Sequence, residues 1–232
     1  MRIALLISGG GTTMEAIIKA CLSGVIPNTA TALVVASKKD AGGIAKAKLL
    51  GVPDEDILIM NPKSFESSEA FGEALIAEFK KREVDLIGQY GWLVKTPFNV
   101  CEAYKGKIIN QHPGPLDNGR PDFGGAGMYG LRVHEARLLF VDRTNHDFWT
   151  EATTHYVTPI FDEGKVIKRK QVSIFPSDTA EMLQSRLLPV EHEVQIEALI
   201  DFANGSVVEF IREDPLVFYG EQDILEECKK EA

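Results

Sequence analysis

Continuous apolar runs and helically spaced apolar positions take turns along the first part of the chain. Residues 3–8 form an apolar run that ends in glycines, the pattern of a strand buried on both faces. Residues 12–22 place Met14, Ile17, Ile18 and Cys21 on one face of a helix. Residues 31–37 read as a second buried strand. Residues 41–50 read as an alanine- and lysine-rich helix, with Gly51 at its stop. A short strand at 57–60, a long helix at 64–81 carrying Phe65, Ala70, Leu75 and Phe79, and a strand at 84–88 complete the series. This alternation predicts an α/β architecture, a doubly wound parallel sheet with helices on both faces.

After Pro97 the pattern loosens. Residues 107–112 read as a fifth strand entering a proline-rich turn. Residues 113–130 hold six glycines and three prolines, which makes them a loop region. Residues 131–142 suit a helix. Residues 153–158 and 165–174 suit a hairpin turning at Phe161-Asp162-Glu163-Gly164. Ser177-Asp178 is expected to open the last helix, with Glu181 three residues past Asp178 in a capping pattern. Pro189 is expected to kink it before Asn204-Gly205. The charged final residues are expected to fray.

A length of 232 residues suits one large domain or two small ones, and it can bury a core without staples. The net charge of −9 removes any global attraction for nucleic acid or an anionic membrane, so small-molecule partners are expected. No apolar run approaches the ~18 residues of a membrane helix. The N-terminal apolar run is too short for a secretory signal and is followed by glycines, which predicts a cytoplasmic protein. Three well-separated cysteines, Cys21, Cys101 and Cys228, form no zinc or disulfide pattern.

Three constellations could carry chemistry. Ser8-Gly9-Gly10-Gly11-Thr12-Thr13 follows the first strand and opens a helix, so the backbone amides of Gly10, Gly11, Thr12 and Thr13 can cradle a phosphate. It is neither a Walker loop nor a dinucleotide fingerprint, and a tight turn without a ligand is the plain alternative. Asn110 and His112, two apart at a strand end, share a face and could grip a developing oxyanion. The hairpin turn would project Asp162 or Glu163, and a carboxylate near His112 would orient the ring and favour its protonated form. Tyr90 and Trp92 could line a slot for a flat heterocycle or simply pack. No histidine cluster has metal-ligand spacing, so no metal is expected.

In this order these motifs resemble one family, the folate-dependent formyltransferases, most of all the branch acting on glycinamide ribonucleotide in purine synthesis. The matching residues are ALLISGGGTT, Asn110-x-His112-Pro113, THYVTPIFDEGKVI and the Leu188-Pro189-Val190-Glu191-His192 helix. The likeness spans about residues 1–210, leaving 211–232 as a charged extension. It implies a mostly parallel seven-stranded sheet. It implies catalytic roles for Asn110, His112 and Asp162, and a phosphate site at Gly11, Thr12 and Thr13. By the same resemblance Trp92, Leu93 and Val94 line the folate pocket, Pro113 and Glu191 lie at the substrate, and His155 supports the aspartate. The implied reaction moves a formyl group from 10-formyltetrahydrofolate to a primary amine, and the resemblance allows a homodimer. An amino-sugar nucleotide as acceptor, or a non-catalytic nucleotide-binding relative, is the alternative. The sequence departs from the family pattern at Gly114, Pro115 and Asp117, at Ser68 in place of a folate-side arginine, and in a lengthened stretch at 139–153. Asp117 is expected away from the glycine loop, where its charge could attract the acceptor's ammonium.

Overall fold

The computed structural model describes residues 1–232. The buried apolar runs become β1 (Arg2–Ile7), β2 (Ala30–Ala36), β3 (Ile57–Ile59), β4 (Leu86–Gln89) and β5 (Ile108–His112). Two further strands, β6 (Trp149–Tyr156) and β7 (Val166–Ser173), complete a seven-stranded sheet of order β3-β2-β1-β4-β5-β6-β7. The pairs β2–β3, β1–β2, β1–β4 and β4–β5 are parallel, and β6–β7 is an antiparallel hairpin. The helices are α1 (Thr12–Leu22), α2 (Gly43–Leu49), α3 (Ser68–Lys81), α4 (Phe98–Ala103), α5 (Leu131–Thr144), α6 (Ala180–Asn204) and α7 (Gln222–Glu231). No helix is long and apolar enough to cross a membrane.

The chain divides into two compact units. The first comprises Met1–Gln111, Tyr156–Pro159 and Ile196–Val207. Its core packs Leu6, Leu33, Val35, Phe71, Leu75, Phe79, Ile87 and Ile108 between sheet and helices. Each such side chain, fully buried, contributes roughly 1.5–3 kcal/mol. Here α3 starts later than its apolar spacing suggests. Ser67 caps it, its hydroxyl accepting from the Ala70 N–H at 3.0 Å, and Pro62–Ser64 form a separate 3₁₀ turn. The short α4, begun by Pro97, is too brief for periodicity to reveal.

The second unit comprises His112–His155, Ile160–Gln195 and Val208–Ala232. One of its clusters joins Phe123, Met128, Val133 and Phe140 to Leu225 and Cys228 of α7. The tail expected to fray is therefore a helix, because two apolar residues one turn apart give it a buried face. β6 begins at Trp149, earlier than its polar sequence suggests. Glu151 is wholly buried on it, with Arg169 and Gln171 of β7 and Arg212 donating to its carboxylate. A charge so paired tolerates burial. At α6 the cap is Thr179, whose hydroxyl accepts from the Met182 N–H. Asp178 instead accepts from the Phe175 N–H and pairs with Arg186. The helix continues through Pro189.

Candidate active site

In the first unit the glycine loop leaves β1 and turns into α1. Gly11 is the N-cap in left-handed geometry (φ 66°), and a Cβ on it would come within 2.8 Å of the Gly43 Cα. Only glycine satisfies both constraints. Ser8 ties the loop down: its hydroxyl pairs with that of Ser37 at 2.8 Å and accepts from the Leu93 N–H at 2.9 Å. Gly9 and Gly10 are exposed, Thr12 is exposed and Thr13 is buried. Glu15, in the first turn of α1, would repel an anion. Lys19 at 2.7 Å and Lys46 at 2.8 Å neutralise it, and their hydrogen bonds lower its pKa to about 2. The helix N-terminus is thus left positive. Gly11→Ala is expected to lower stability by about 1–3 kcal/mol through a forced positive φ and the Gly43 clash. It is also expected to abolish the shifts that inorganic phosphate causes in the Gly10–Thr13 amides. Thermal unfolding and an NMR titration check this, and an unshifted loop in the parent protein would overturn the phosphate reading.

Trp92, expected at a folate slot, packs into the core of this unit. Leu93 is 62% exposed and Val94 is half-buried, so an apolar surface remains beside the glycine loop's anchor. Tyr90 is buried, which makes packing its role.

β5 ends in Asn110-Gln111-His112, and the two-residue spacing puts Asn110 and His112 on one face of the strand. In the second unit His112 is buried. Its Nε2 lies 3.1 Å from the Phe123 carbonyl. A carbonyl only accepts, so Nε2 carries a proton in this arrangement. Its Nδ1 faces Asp162 Oδ2 at 3.7 Å. Asp162 Oδ1 lies 3.4 Å from His155 Nε2, and Oδ2 accepts from the Gly125 N–H at 2.9 Å. Asp162 sits in the β6–β7 turn at φ 57°, a left-handed conformation that aspartate tolerates.

Burial raises the Asp162 pKa, but the positive charge that His112 carries at the acid pH where Asp162 titrates, the hydrogen bond to His155 and the Gly125 N–H together bring it down to about 2. The carboxylate is therefore ionised at neutral pH. Burial lowers the His112 pKa, and it outweighs the opposing pull of Asp162. The resting ring is therefore neutral, with its Nδ1 lone pair toward a carboxylate. The protonated form expected from the neighbouring carboxylate is disfavoured because the ring is buried.

A segment with no recognisable sequence motif completes this network. Asp122 accepts from the Asp117 and Gly124 N–H groups, and burial raises its pKa to about 6. Phe123 and Gly125 act through backbone atoms, for which glycine density was the only available signal. Arg137 is fully buried on α5, 4.8 Å over the Phe123 ring and 5.0 Å over Trp149. Asp117 is buried, paired with Arg120 at 2.8 Å, and accepts from the Leu216 N–H. Pro113 follows His112 half-buried, and Glu191 is buried on α6. No group of three or more His, Cys, Asp or Glu side chains is arranged to hold a metal.

A family described as formyl transferase matches residues 1–199. The chain is 32% identical over 208 residues to phosphoribosylglycinamide formyltransferase of Haemophilus influenzae, covering 89% of each chain. It is 31% identical over 199 residues to the chloroplastic phosphoribosylglycinamide formyltransferase of Arabidopsis thaliana, covering 85% of this chain. It spans under two thirds of the length of two such plant proteins, 64% and 62%. Among crystal structures, glycinamide ribonucleotide transformylase 1 of Symbiobacterium toebii aligns with TM-score 0.76 at 32% identity over 88% of each chain.

Proposed function

This chain belongs to the formyl transferase family, and from that membership we propose that it transfers a formyl group from 10-formyltetrahydrofolate to the primary amine of glycinamide ribonucleotide. The observation that carries this reading is the buried His112–Asp162 pair at the end of β5, with the carboxylate ionised and the ring neutral. The same reading places the enzyme in the cytoplasm, acting on small molecules without nucleic acid or membrane.

The donor supplies an activated formyl carbon on a nitrogen that leaves as an amine. The exposed apolar side chain of Leu93, with Val94, suits a flat heterocycle. The amide loop at Gly10–Thr13 suits the phosphate of the acceptor. Attack by the acceptor amine forms a C–N bond and places negative charge on the formyl oxygen. Asn110 is the neutral donor on the same strand face as His112 and would stabilise that charge. The amine must lose one proton and the leaving nitrogen must gain one. A neutral His112 can take the first, and the Asp162 carboxylate then holds the imidazolium until the proton is passed on. Glu191 and Pro113 are assigned to the acceptor in this proposal from the likeness of their segments to the family.

The acceptor is tested by comparing kcat/KM for glycinamide ribonucleotide with that for amino-sugar nucleotides. A preference of tenfold or more for glycinamide ribonucleotide is expected. A preference for the sugar nucleotides would overturn the acceptor while leaving formyl transfer in place. Absence of tetrahydrofolate product with every amine would overturn the reading itself.

A further inference from the structure

The family match ends at residue 199, yet α7 reaches back to the segment beside the His112–Asp162 pair. Its Lys229 donates from Nζ to the Gly124 carbonyl at 3.0 Å. The residues on either side of Gly124 hold the pair itself. Phe123 offers its carbonyl to His112 Nε2 at 3.1 Å, and Gly125 donates its N–H to Asp162 Oδ2 at 2.9 Å. Three consecutive residues thus reach the histidine, α7 and the aspartate in turn, besides the local bonds of the Phe123 N–H to Pro115, the Gly124 N–H to Asp122 and the Met128 N–H to Gly125.

We infer that Lys229 is a positioning residue for the proposed reaction, holding the Phe123–Gly125 backbone in the conformation that orients His112 and Asp162. The inference rests on the formyl-transfer reading for its kinetic consequence and on geometry alone for its structural one. Two of the three residues are glycines, which have no side chain to fix their conformation, and Gly125 has φ +105°. Gly124 also has no room for one: a Cβ would come within 2.7 Å of both the Asp162 Cβ and the Leu116 Cδ2. The segment packs tightly, and where Pro115, Asp122 and Met128 hold it locally, Lys229 ties it to α7. Lys229 is itself fixed. Arg132 donates to its carbonyl at 3.1 Å, and Leu225 and Cys228 on the same helix are buried with Phe123. Arg143 pairs with Glu227 and Glu231 across the α5–α7 contact.

The test compares Lys229→Met and Lys229→Arg with the exposed control Lys230→Met in the full-length protein. Lys229→Met is expected to lower kcat about 10- to 100-fold with both KM values within twofold, since small misplacement of reacting groups costs rate more than binding. Lys229→Arg should recover most of that loss, and Lys230→Met should match the parent. Imidazole NMR gives a second readout that needs no substrate. The His112 Nε2 proton, protected by the Phe123 carbonyl in the parent, should exchange faster in Lys229→Met while the unfolding midpoint stays within a few degrees. An unchanged Nε2 proton and unchanged kcat would overturn the inference. A changed proton in an enzyme that shows no formyl transfer would leave the positioning role intact and refute the activity instead.

Discussion

Replacing His112 with alanine is expected to lower kcat by about 10²- to 10³-fold while KM for either substrate moves only a few-fold. The group lost is the one that takes the amine's proton. That matters mainly in the transition state, so binding of the ground state is largely spared. Asn110→Ala removes the oxyanion donor instead, and a loss of about 10²-fold is expected for it. Steady-state kinetics at saturating donor, with thermal unfolding to confirm that each variant is folded, decide the matter. Turnover within threefold of the parent would remove both residues from the mechanism.

Asp162→Asn should cost about 10²-fold in kcat and should change how stability depends on pH. Asparagine is nearly isosteric and tolerates the left-handed φ of 57° at this position, so the variant isolates the charge. The Asp162 pKa lies near 2 in the folded protein against an ordinary 3.8, so folding favours the ionised form. That difference corresponds to on the order of 2 kcal/mol. The contribution is fully present above about pH 4 and is lost as pH falls toward 2. Urea unfolding at a series of pH values should therefore show the parent more stable than the variant by about 2 kcal/mol at pH 7, with the gap closing at acid pH. A gap independent of pH would mean that the carboxylate's charge is not what holds His112 and His155 around it.

The sequence by itself determined the parallel half of the sheet. β1, β2, β4 and β5 are short apolar runs bounded by glycine, proline or polar residues, and that pattern leaves few alternatives to burial between helices. It also marked Gly10–Thr13, Asn110 and His112 as candidates, because each sits where a strand ends, and left the hairpin turn open between Asp162 and Glu163. Only the tertiary structure decided the rest. Half of β6 was illegible because Glu151, Thr150 and Thr153 are polar and buried, and the partners of Glu151, which are Arg169, Gln171 and Arg212, lie 18 or more residues away. The burial of Asp117 and its pairing with Arg120 and the Leu216 N–H are likewise properties of the folded chain. The protonation of His112 turned on burial rather than on its neighbour, and burial is a property of the packed unit. The Phe123 carbonyl, the Gly125 N–H and Lys229 act through backbone geometry and contacts of up to 105 residues' separation, for which one-dimensional spacing holds no record.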